Sequence, residues 1–240
     1  MDNIKPILHT IVHGDTLYDL AIKYNTTVQN IIDTNLAINL YSLRVGQSIY
    51  IFPNYGKNNI CISNKQINLI RQMDLVWEQH IMWTRMLLIS IAESLKDLDA
   101  TQSRLLENPK DIANVFKEYY GNNVANIIQK LLTEHLVIGK ELIIALKNNE
   151  QLKAKELNKK WYKNADEIAE AFSSINPFYN IEEIRKMLYE HLYLTINEVS
   201  NRLKGNYLQD IKDYDLVQKE ILRMSEFFVN GIVKQFSNKF

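Results

Sequence analysis

The chain has 240 residues, of which 46% are hydrophobic and 23% are charged, so it is globular and long enough for one large domain or two ordinary ones. Its 28 basic and 28 acidic side chains cancel, which argues against general binding to nucleic acid or to anionic membranes. A single cysteine, Cys61, excludes an internal disulfide and fits a reduced compartment. Because the N-terminus lacks the segments of a secretory signal and no stretch reaches the roughly 18 apolar residues of a membrane helix, we expect a soluble protein made in the cytoplasm.

The first fifty residues predict a small β-α-α-β module. Asp15 is placed to cap the first helix and Thr27 to cap the second, since both residue types accept hydrogen bonds from free helix amides. Alternation and β-branched residues predict the two strands. The predicted elements are a strand at 9–12, helices at 17–24 and 28–33, and a strand at 48–52. The predicted core comprises Leu17, Leu20, Ala21, Val28, Ile31, Ile32, Leu43 and Val45.

Four separated motifs in this module occur in order, namely HTIVHGDTL at 9–17, AIKYNTTV at 21–28, IIDTN at 31–35 and LRVGQSIYIFP at 43–53. Together they resemble a LysM domain over residues 8–53. The resemblance implies binding of N-acetylglucosamine polymers such as peptidoglycan or chitin, in a shallow groove between the loop before the first helix and the loop after the second. By that resemblance one wall comprises Gly14, Asp15, Thr16 and Leu17, and the other Asn35, Leu36, Ala37 and Ile38.

One position departs from that family. LysM domains usually have proline after the asparagine that matches Asn35, and this chain has Leu36. A LysM fold that binds a different ligand is therefore an alternative. Asp15 and Thr16 also have a purely structural interpretation, as helix cap and turn formers.

After a polar linker at 54–66, the sequence predicts an all-helical bundle over residues 67–240. Apolar side chains recur at helical spacing, and Pro109, Gly121 and Gly205 provide start and stop signals. The predicted helices are 67–95, 109–120, 124–147, 150–174, 181–203 and 207–236. They form three helical-hairpin repeats at 67–123, 124–180 and 181–240.

The repeat is defined by three histidines, His80, His135 and His191, which are 55 and 56 residues apart. Four residues after each comes Thr84, Gly139 or Thr195. A second echo begins at Asn108 and Asn164, which follow the first two histidines by 28 and 29 residues. In the third repeat the echo is assigned to residues 224–232, where the asparagine is lost.

Two interpretations of the histidines stay open. Three inward imidazoles from related helices suit a metal such as Fe, Zn or Mn, with a further ligand among Asp111, Asp166, Glu167 and Glu226. Alternatively, each buried neutral histidine hydrogen-bonds to Asn108, Asn164 or a threonine one turn away, because buried polar groups need partners.

The motifs WEQHI at 77–81, RLLENPKD at 104–111, WYKNADEI at 161–168 and GIVKQF at 231–236 resemble an all-helical family of spore-forming Firmicutes. Its members are sometimes labelled acetylglutamate kinase. We do not expect that activity, because such a kinase needs an α/β fold with glycine-rich phosphate loops. Residues 67–240 contain four glycines and no such loop.

The sequence thus favours a protein that binds peptidoglycan or a related N-acetylglucosamine polymer and is not an enzyme. Its expected location is the spore coat, the cortex or the cell wall, with the bundle as a scaffold or docking unit for partners such as spore-coat proteins. Neither nucleic acid nor a membrane is expected as a partner. The alternative is a three-histidine metal-binding protein of ferritin-like or hemerythrin-like type, with or without enzymatic activity, which the LysM domain localises.

Overall fold

The computed structural model describes residues 6–35, 43–53 and 63–240. The chain divides into two units, Met1–Ile62 and Ser63–Phe240, and each is described by itself. An α+β module is followed by an all-helical bundle, which confirms the predicted fold class. None of the described helices combines the length and the apolar character needed to span a bilayer.

The N-terminal unit contains two short helices and a two-stranded antiparallel sheet. Strand β1 (Ile7–Thr10) pairs with β2 (Ser48–Ile51), so that Ile7 lies opposite Ile51. Between them lie α1 (Leu17–Lys23) and α2 (Val28–Thr34). The order of elements is as predicted, and each boundary differs from the prediction by no more than two residues.

Threonine hydroxyls cap both short helices. Thr27 accepts a hydrogen bond from the amide of Asn30 at 2.9 Å, as predicted for α2. The prediction that Asp15 caps α1 is wrong, because the cap is Thr16, whose hydroxyl accepts from the amide of Asp19 at 3.0 Å. Asp15 is instead held by the preceding strand, since its carboxylate accepts from the amide of Val12.

The core of this unit is small and aliphatic. Most of the predicted core residues take part in it, but Val45 is 68% exposed because it lies in the turn at Gly46, where φ is 87°. The strands supply more of the core than expected. Its buried residues are Ile11, Leu20, Ala21, Ile31, Ile49 and Ile51, with Leu17, Tyr24, Val28, Ile32 and Leu43 partly buried against them.

The second unit contains five helices, α3 (Asn64–Glu93), α4 (Leu98–Lys147), α5 (Gln151–Ile175), α6 (Ile181–Leu203) and α7 (Tyr207–Gln235), followed by a 3-10 turn at Ser237–Lys239. The bounds of α6 are those predicted, because Asn180 caps it through the amides of Glu182 and Glu183 and Gly205 terminates it. Residues 64–66 were assigned to the linker but form the first turn of α3, which Ser63 caps.

Helix α4 comprises two helical segments that meet at Gly121, where φ is 79° and ψ is 179°. The chain reverses direction there, since Lys140 on the second segment contacts Gln102 on the first. The predicted start of the first segment at Pro109 is wrong, because helix begins at Leu98 and Pro109 lies inside it. A proline removes one helix hydrogen bond, but burial of Leu105, Ile112 and Phe116 on this segment outweighs that loss.

The histidine-bearing segments run in the same direction. His80 lies near His135 and His191, and farther along these helices Arg202 of α6 pairs with Glu93 of α3. Helix α7 packs against both α6 and α3 and so closes the bundle. The three histidines therefore lie on inner helices around one axis. The three remaining helical segments, which are α5, α7 and the first segment of α4, run in the opposite direction between them.

Candidate three-histidine centre and glycan-binding unit

His80, His135 and His191 meet in the centre of the bundle. Their side chains are 3–5% exposed, and their ring centroids are 5.8–6.3 Å apart. One ring nitrogen of each lies within 4.8 Å of those of the other two. Each comes from a different inner segment, α3, the second part of α4, or α6. The predicted convergence of the histidines is therefore present in the structure.

The Nδ1 atom of each imidazole is bonded to a residue of the neighbouring outer helix. Asn108 Oδ1 lies 3.0 Å from Nδ1 of His80, and Asn164 Oδ1 lies 3.0 Å from Nδ1 of His135. Both asparagines are among the partners that the structural interpretation of the histidines named. For His191 the partner is a carboxylate, Glu220 Oε2, also at 3.0 Å.

These contacts determine the tautomer of the rings. The amide nitrogen of Asn108 donates to the carbonyl of Val76, and that of Asn164 donates to the carbonyl of Leu131, so both amide oxygens face the imidazoles. An oxygen acceptor requires Nδ1 to carry the proton. The neutral rings of His80 and His135 therefore carry their lone pair on Nε2. No group in the described part of the chain hydrogen-bonds to these Nε2 atoms.

Burial keeps two of the three rings neutral. Burial first, and then electrostatic repulsion with His191, lowers the pKa of His80 to about 3, although its bond to Asn108 opposes the shift. Burial and repulsion from His80 and His191 hold the pKa of His135 well below its usual range. Protons therefore do not compete for the nitrogens of His80 and His135 near neutral pH.

The backbone carbonyl of each histidine also receives a side-chain hydrogen bond. Thr84 and Thr195, four residues after their histidines, donate to His80 O at 2.7 Å and His191 O at 2.8 Å. Gly139 occupies the equivalent position in the second repeat, and the indole N–H of Trp161 donates to His135 O at 3.0 Å instead. A Cβ at Gly139 would lie 3.2 Å from that indole, so glycine leaves room for the substitute donor.

A cavity of about 20 Å³ adjoins the triad. It lies on the side toward which the histidine-bearing helices run, because the residues that follow the histidines line it. Thr84, Gly139 and Thr195 lie nearest along the sequence, and Leu87, Leu105 and Ile143 add apolar walls. The histidines are thus buried but not packed solid on every side.

The four carboxylates predicted as further ligands do not belong to the triad. Asp111 pairs with Arg104 at 3.4 Å, Asp166 with Arg185 at 2.8 Å and Glu167 with Lys163 at 3.3 Å, all at partly exposed sites. Glu226 is exposed on α7. The cluster of converging ligand atoms contains the three histidines and none of these acids.

The carboxylate that does reach the triad, Glu220, was not predicted. It lies 29 residues after His191, the same spacing that separates His135 from Asn164. The third repeat therefore retains the partner position with a different residue, and the echo is not the segment 224–232. The spacing within the repeat, rather than the type of residue, is the sequence signal that identifies Glu220.

In the N-terminal unit, a buried network supports the loop before α1. His9 bonds through Nε2 to the carboxylate of Asp15 at 2.8 Å and accepts at Nδ1 from the hydroxyl of Tyr24 at 2.8 Å. The amide of Val12, and next His9, lower the pKa of Asp15. Gly14, in the turn between them, has a φ of 92°, which favours glycine.

Asn35 joins α2 to the sheet. It is 4% exposed, its amide nitrogen donates to the carbonyls of Ile31 and Tyr50, and its oxygen accepts from the amide of Tyr50. The side chain of Asn35 is thus fully used inside the unit. The other predicted residues of this wall, Leu36, Ala37 and Ile38, lie outside the described residues.

Residues 9–52 match the family model of the LysM domain. The match confirms the prediction for the N-terminal unit. LysM domains generally bind peptidoglycan and related N-acetylglucosamine polymers, which supports cell-wall binding. Neither the comparison with curated proteins nor that with solved structures gave a match, so the resemblance of the helical unit to a family of spore-forming Firmicutes has no support from them.

The LysM domain presents the first predicted wall at its surface. Gly14 and Thr16 are exposed and Leu17 is half-buried beside them. Because the side chains of Asp15 and Thr16 already bond within the loop, the predicted wall offers chiefly backbone groups and part of the Leu17 side chain. Such a surface suits N-acetyl groups, which need both a polar partner and an apolar contact.

Proposed function

We propose that this protein binds N-acetylglucosamine polymers through its LysM domain and holds a single metal ion at the three histidines of its helical bundle. The first part is supported by the family match, and the second by one observation. One ring nitrogen of each histidine lies within 4.8 Å of those of the other two, and each ring is fixed in orientation by a hydrogen bond at Nδ1.

The metal interpretation gives a role to the second nitrogen of the imidazoles, which the structural interpretation leaves unexplained. Hydrogen bonds to Asn108 and Asn164 satisfy Nδ1 of His80 and His135, as the structural interpretation requires, and they leave the lone pair of each ring on Nε2. A cation that takes one nitrogen ligand from each of the three histidines would use this arrangement. The asparagines and Glu220 then act as the outer partners that orient metal-binding imidazoles.

The donor set limits the choice of ion. Imidazole nitrogens bind zinc, iron, copper and nickel better than magnesium or calcium. They bind manganese only weakly. Three protein ligands with room beside them resemble sites that keep a position for water or substrate. Tetrahedral ligands about 2.1 Å from an ion are about 3.4 Å apart, so binding would draw nitrogens separated by up to 4.8 Å closer together.

Elemental analysis of the untagged full chain tests the metal site. Loaded with Zn²⁺ or anaerobic Fe²⁺ and then dialysed, the wild type should retain about one ion per chain, and His135→Ala should retain far less. His13→Ala is the matched control, because His13 is exposed in the LysM domain. Wild-type protein that retains no ion, or a control variant that loses it, would overturn the proposal.

Calorimetric titration with a chitin oligomer, together with sedimentation on purified peptidoglycan, tests glycan binding. Leu17→Ser should weaken binding, because it removes the apolar contact at the first wall. Tyr50→Ser is the control, since Tyr50 is a half-exposed aromatic of β2 outside the predicted groove. Equal binding by both variants would assign the glycan to another surface.

A spore-coat, cortex or cell-wall location is the corresponding cellular proposal, with the bundle also serving as a docking unit for envelope proteins. It is supported by the type of ligand that LysM domains bind and by the resemblance of the helical unit. A fluorescent fusion should gather at the forespore or the wall of sporulating cells. Diffuse fluorescence throughout sporulation would contradict it.

A further inference from the structure

The cavity beside the triad is the natural place for whatever else the metal binds. On the other side of the rings the bundle is filled by large side chains, among them Trp77, which stacks on Phe228 at 5.7 Å and meets His80 edge-on. The open side is the one formed by Thr84, Gly139 and Thr195. An ion held by the three Nε2 atoms therefore has its free coordination position on that side.

The volume of this chamber sets the size of the ligand. A cavity needs roughly 10–15 Å³ to hold one water molecule, and this chamber has about 20 Å³. It therefore accommodates a ligand of one or two heavy atoms. Even a single N-acetylglucosamine ring is many times too large, so the glycan of the LysM domain is not a substrate for this centre.

The walls offer little that would bind such a ligand by themselves. The threonine hydroxyl protons and the indole proton of Trp161 are committed to the histidine carbonyls. Leu87, Leu105 and Ile143 contribute only apolar surface. Lys140, at the edge of the chamber, bonds to Gln102 at 3.3 Å. Binding in the chamber thus depends on the metal, and the walls select by size.

We infer that the three-histidine centre takes one small exogenous ligand, water or a diatomic molecule, in the chamber beyond Thr84, Gly139 and Thr195, and that Ile143 with its apolar neighbours excludes larger ligands. The inference rests on the proposed metal site and adds the class of molecule that the site receives. By this inference the ligand of the metal centre is a different molecule from the glycan that the LysM domain binds.

Electron paramagnetic resonance of the Fe²⁺-loaded full chain tests this assignment. Nitric oxide, with two heavy atoms, should give the signal of an iron–nitrosyl complex at near-stoichiometric levels. Imidazole at millimolar concentration should not reduce that signal. In Ile143→Ala the chamber is enlarged, and imidazole should then compete at concentrations at least tenfold lower than any that affect the wild type.

Ile232→Ala is the matched control, because it removes the same atoms from a buried site on α7, twelve residues beyond Glu220. It should leave imidazole exclusion intact. If zinc and iron both fail to load, the metal proposal fails and this inference with it. If iron loads but nitric oxide gives no signal, or if imidazole competes equally in wild type and Ile143→Ala, the chamber assignment alone is wrong.

Discussion

Glu220 makes His191 different from the other two histidines. Asn108 and Asn164 present neutral amide oxygens to their imidazoles, whereas Glu220 presents a carboxylate that is 4% exposed. A carboxylate behind a metal-bound histidine raises the basicity of the ring and offsets part of the charge of the ion. The contact therefore has electrostatic value that a neutral partner lacks.

Substitution Glu220→Gln separates the charge of this residue from its shape. The amide oxygen should still accept from Nδ1 of His191, as Asn164 accepts from His135, so the fold should persist. We expect metal affinity to fall about 10- to 100-fold in a competitive titration against a chelator. Glu226→Gln is the control from the same helix. If Glu226→Gln produced the larger loss, Glu226 would be restored as a ligand.

A second buried carboxylate, Glu198, responds to pH. It bonds to Arg85 at 2.6 Å, and Arg85 also bonds to the fully buried Asp210. Burial raises the pKa of Glu198 from 4.5 to about 7, in spite of Arg85. Between these two values the folded protein binds more protons than the unfolded chain, so its stability falls as pH rises.

We expect Glu198 to lower the free energy of unfolding by up to about 3 kcal/mol between pH 5 and pH 8. Glu198→Gln stays uncharged and keeps an oxygen for Arg85, so it should remove this part of the decline. Urea unfolding of both proteins at several pH values measures the difference. Parallel pH profiles for the two proteins would show that Glu198 does not titrate in this range.

At the scale of elements, the short turns between helices depend on single residues. Gly121 has φ 79° and ψ 179°, a region open essentially only to glycine, and a Cβ there would meet no atom within 4 Å. The effect of a substitution would therefore come from the backbone rather than from a clash. The reversal at Gly121 is what brings His135 alongside His80.

Gly121→Ala should lower the free energy of unfolding of the bundle by about 1–3 kcal/mol. Thermal or urea denaturation followed by circular dichroism measures the change. Asn123→Ala, two residues away on an exposed site, should stay within about 0.5 kcal/mol of wild type. Equal effects at the two positions would mean that the turn tolerates a side chain.

The sequence predicted those elements whose ends carry local signals. Helix α6 has the bounds predicted from sequence, and both of its ends carry local signals, since Asn180 caps it and Gly205 follows its last turn. The first segment of α4 was shortened by eleven residues because Pro109 was taken for a first turn, and only tertiary burial of Leu105 shows that helix precedes it. The preference of proline for a first helical turn is a local effect, and the burial of apolar side chains before Pro109 outweighs it in α4.

In the histidine site, too, some features followed from the sequence and others required the structure. Convergence of the histidines and the pairs with Asn108 and Asn164 followed from a fixed spacing. Glu220 was not predicted because the third echo was assigned to residues 224–232 rather than to the position 29 residues after His191, and the role of Trp161 at the His135 carbonyl needs three-dimensional information. Repeats preserve geometry better than residue identity, so the position was the safer guide.

At the scale of the whole molecule, the two units have separate cores. The LysM core comprises a few aliphatic residues, whereas the bundle core extends over all five helices. Ligands of the two units should therefore stabilise them separately.

Differential scanning calorimetry of the full chain should show two transitions. A chitin oligomer should raise the midpoint temperature of the LysM transition only, and Zn²⁺ should raise that of the bundle only. At a hundredfold excess over its dissociation constant, Zn²⁺ should add about 2.7 kcal/mol to the free energy of unfolding of the bundle. Movement of both transitions with either ligand would indicate thermodynamic coupling of the units.

The three hairpins meet at a point of near-threefold geometry but with unequal chemistry. An imidazole backed by a carboxylate donates more electron density than one backed by an amide, and Trp161 takes the place of a threonine at the second carbonyl. A paramagnetic ion at the centre would therefore experience a rhombic ligand field rather than an axial one. In Cu²⁺-loaded protein the two smaller g-values should differ, and Glu220→Gln should bring them closer together.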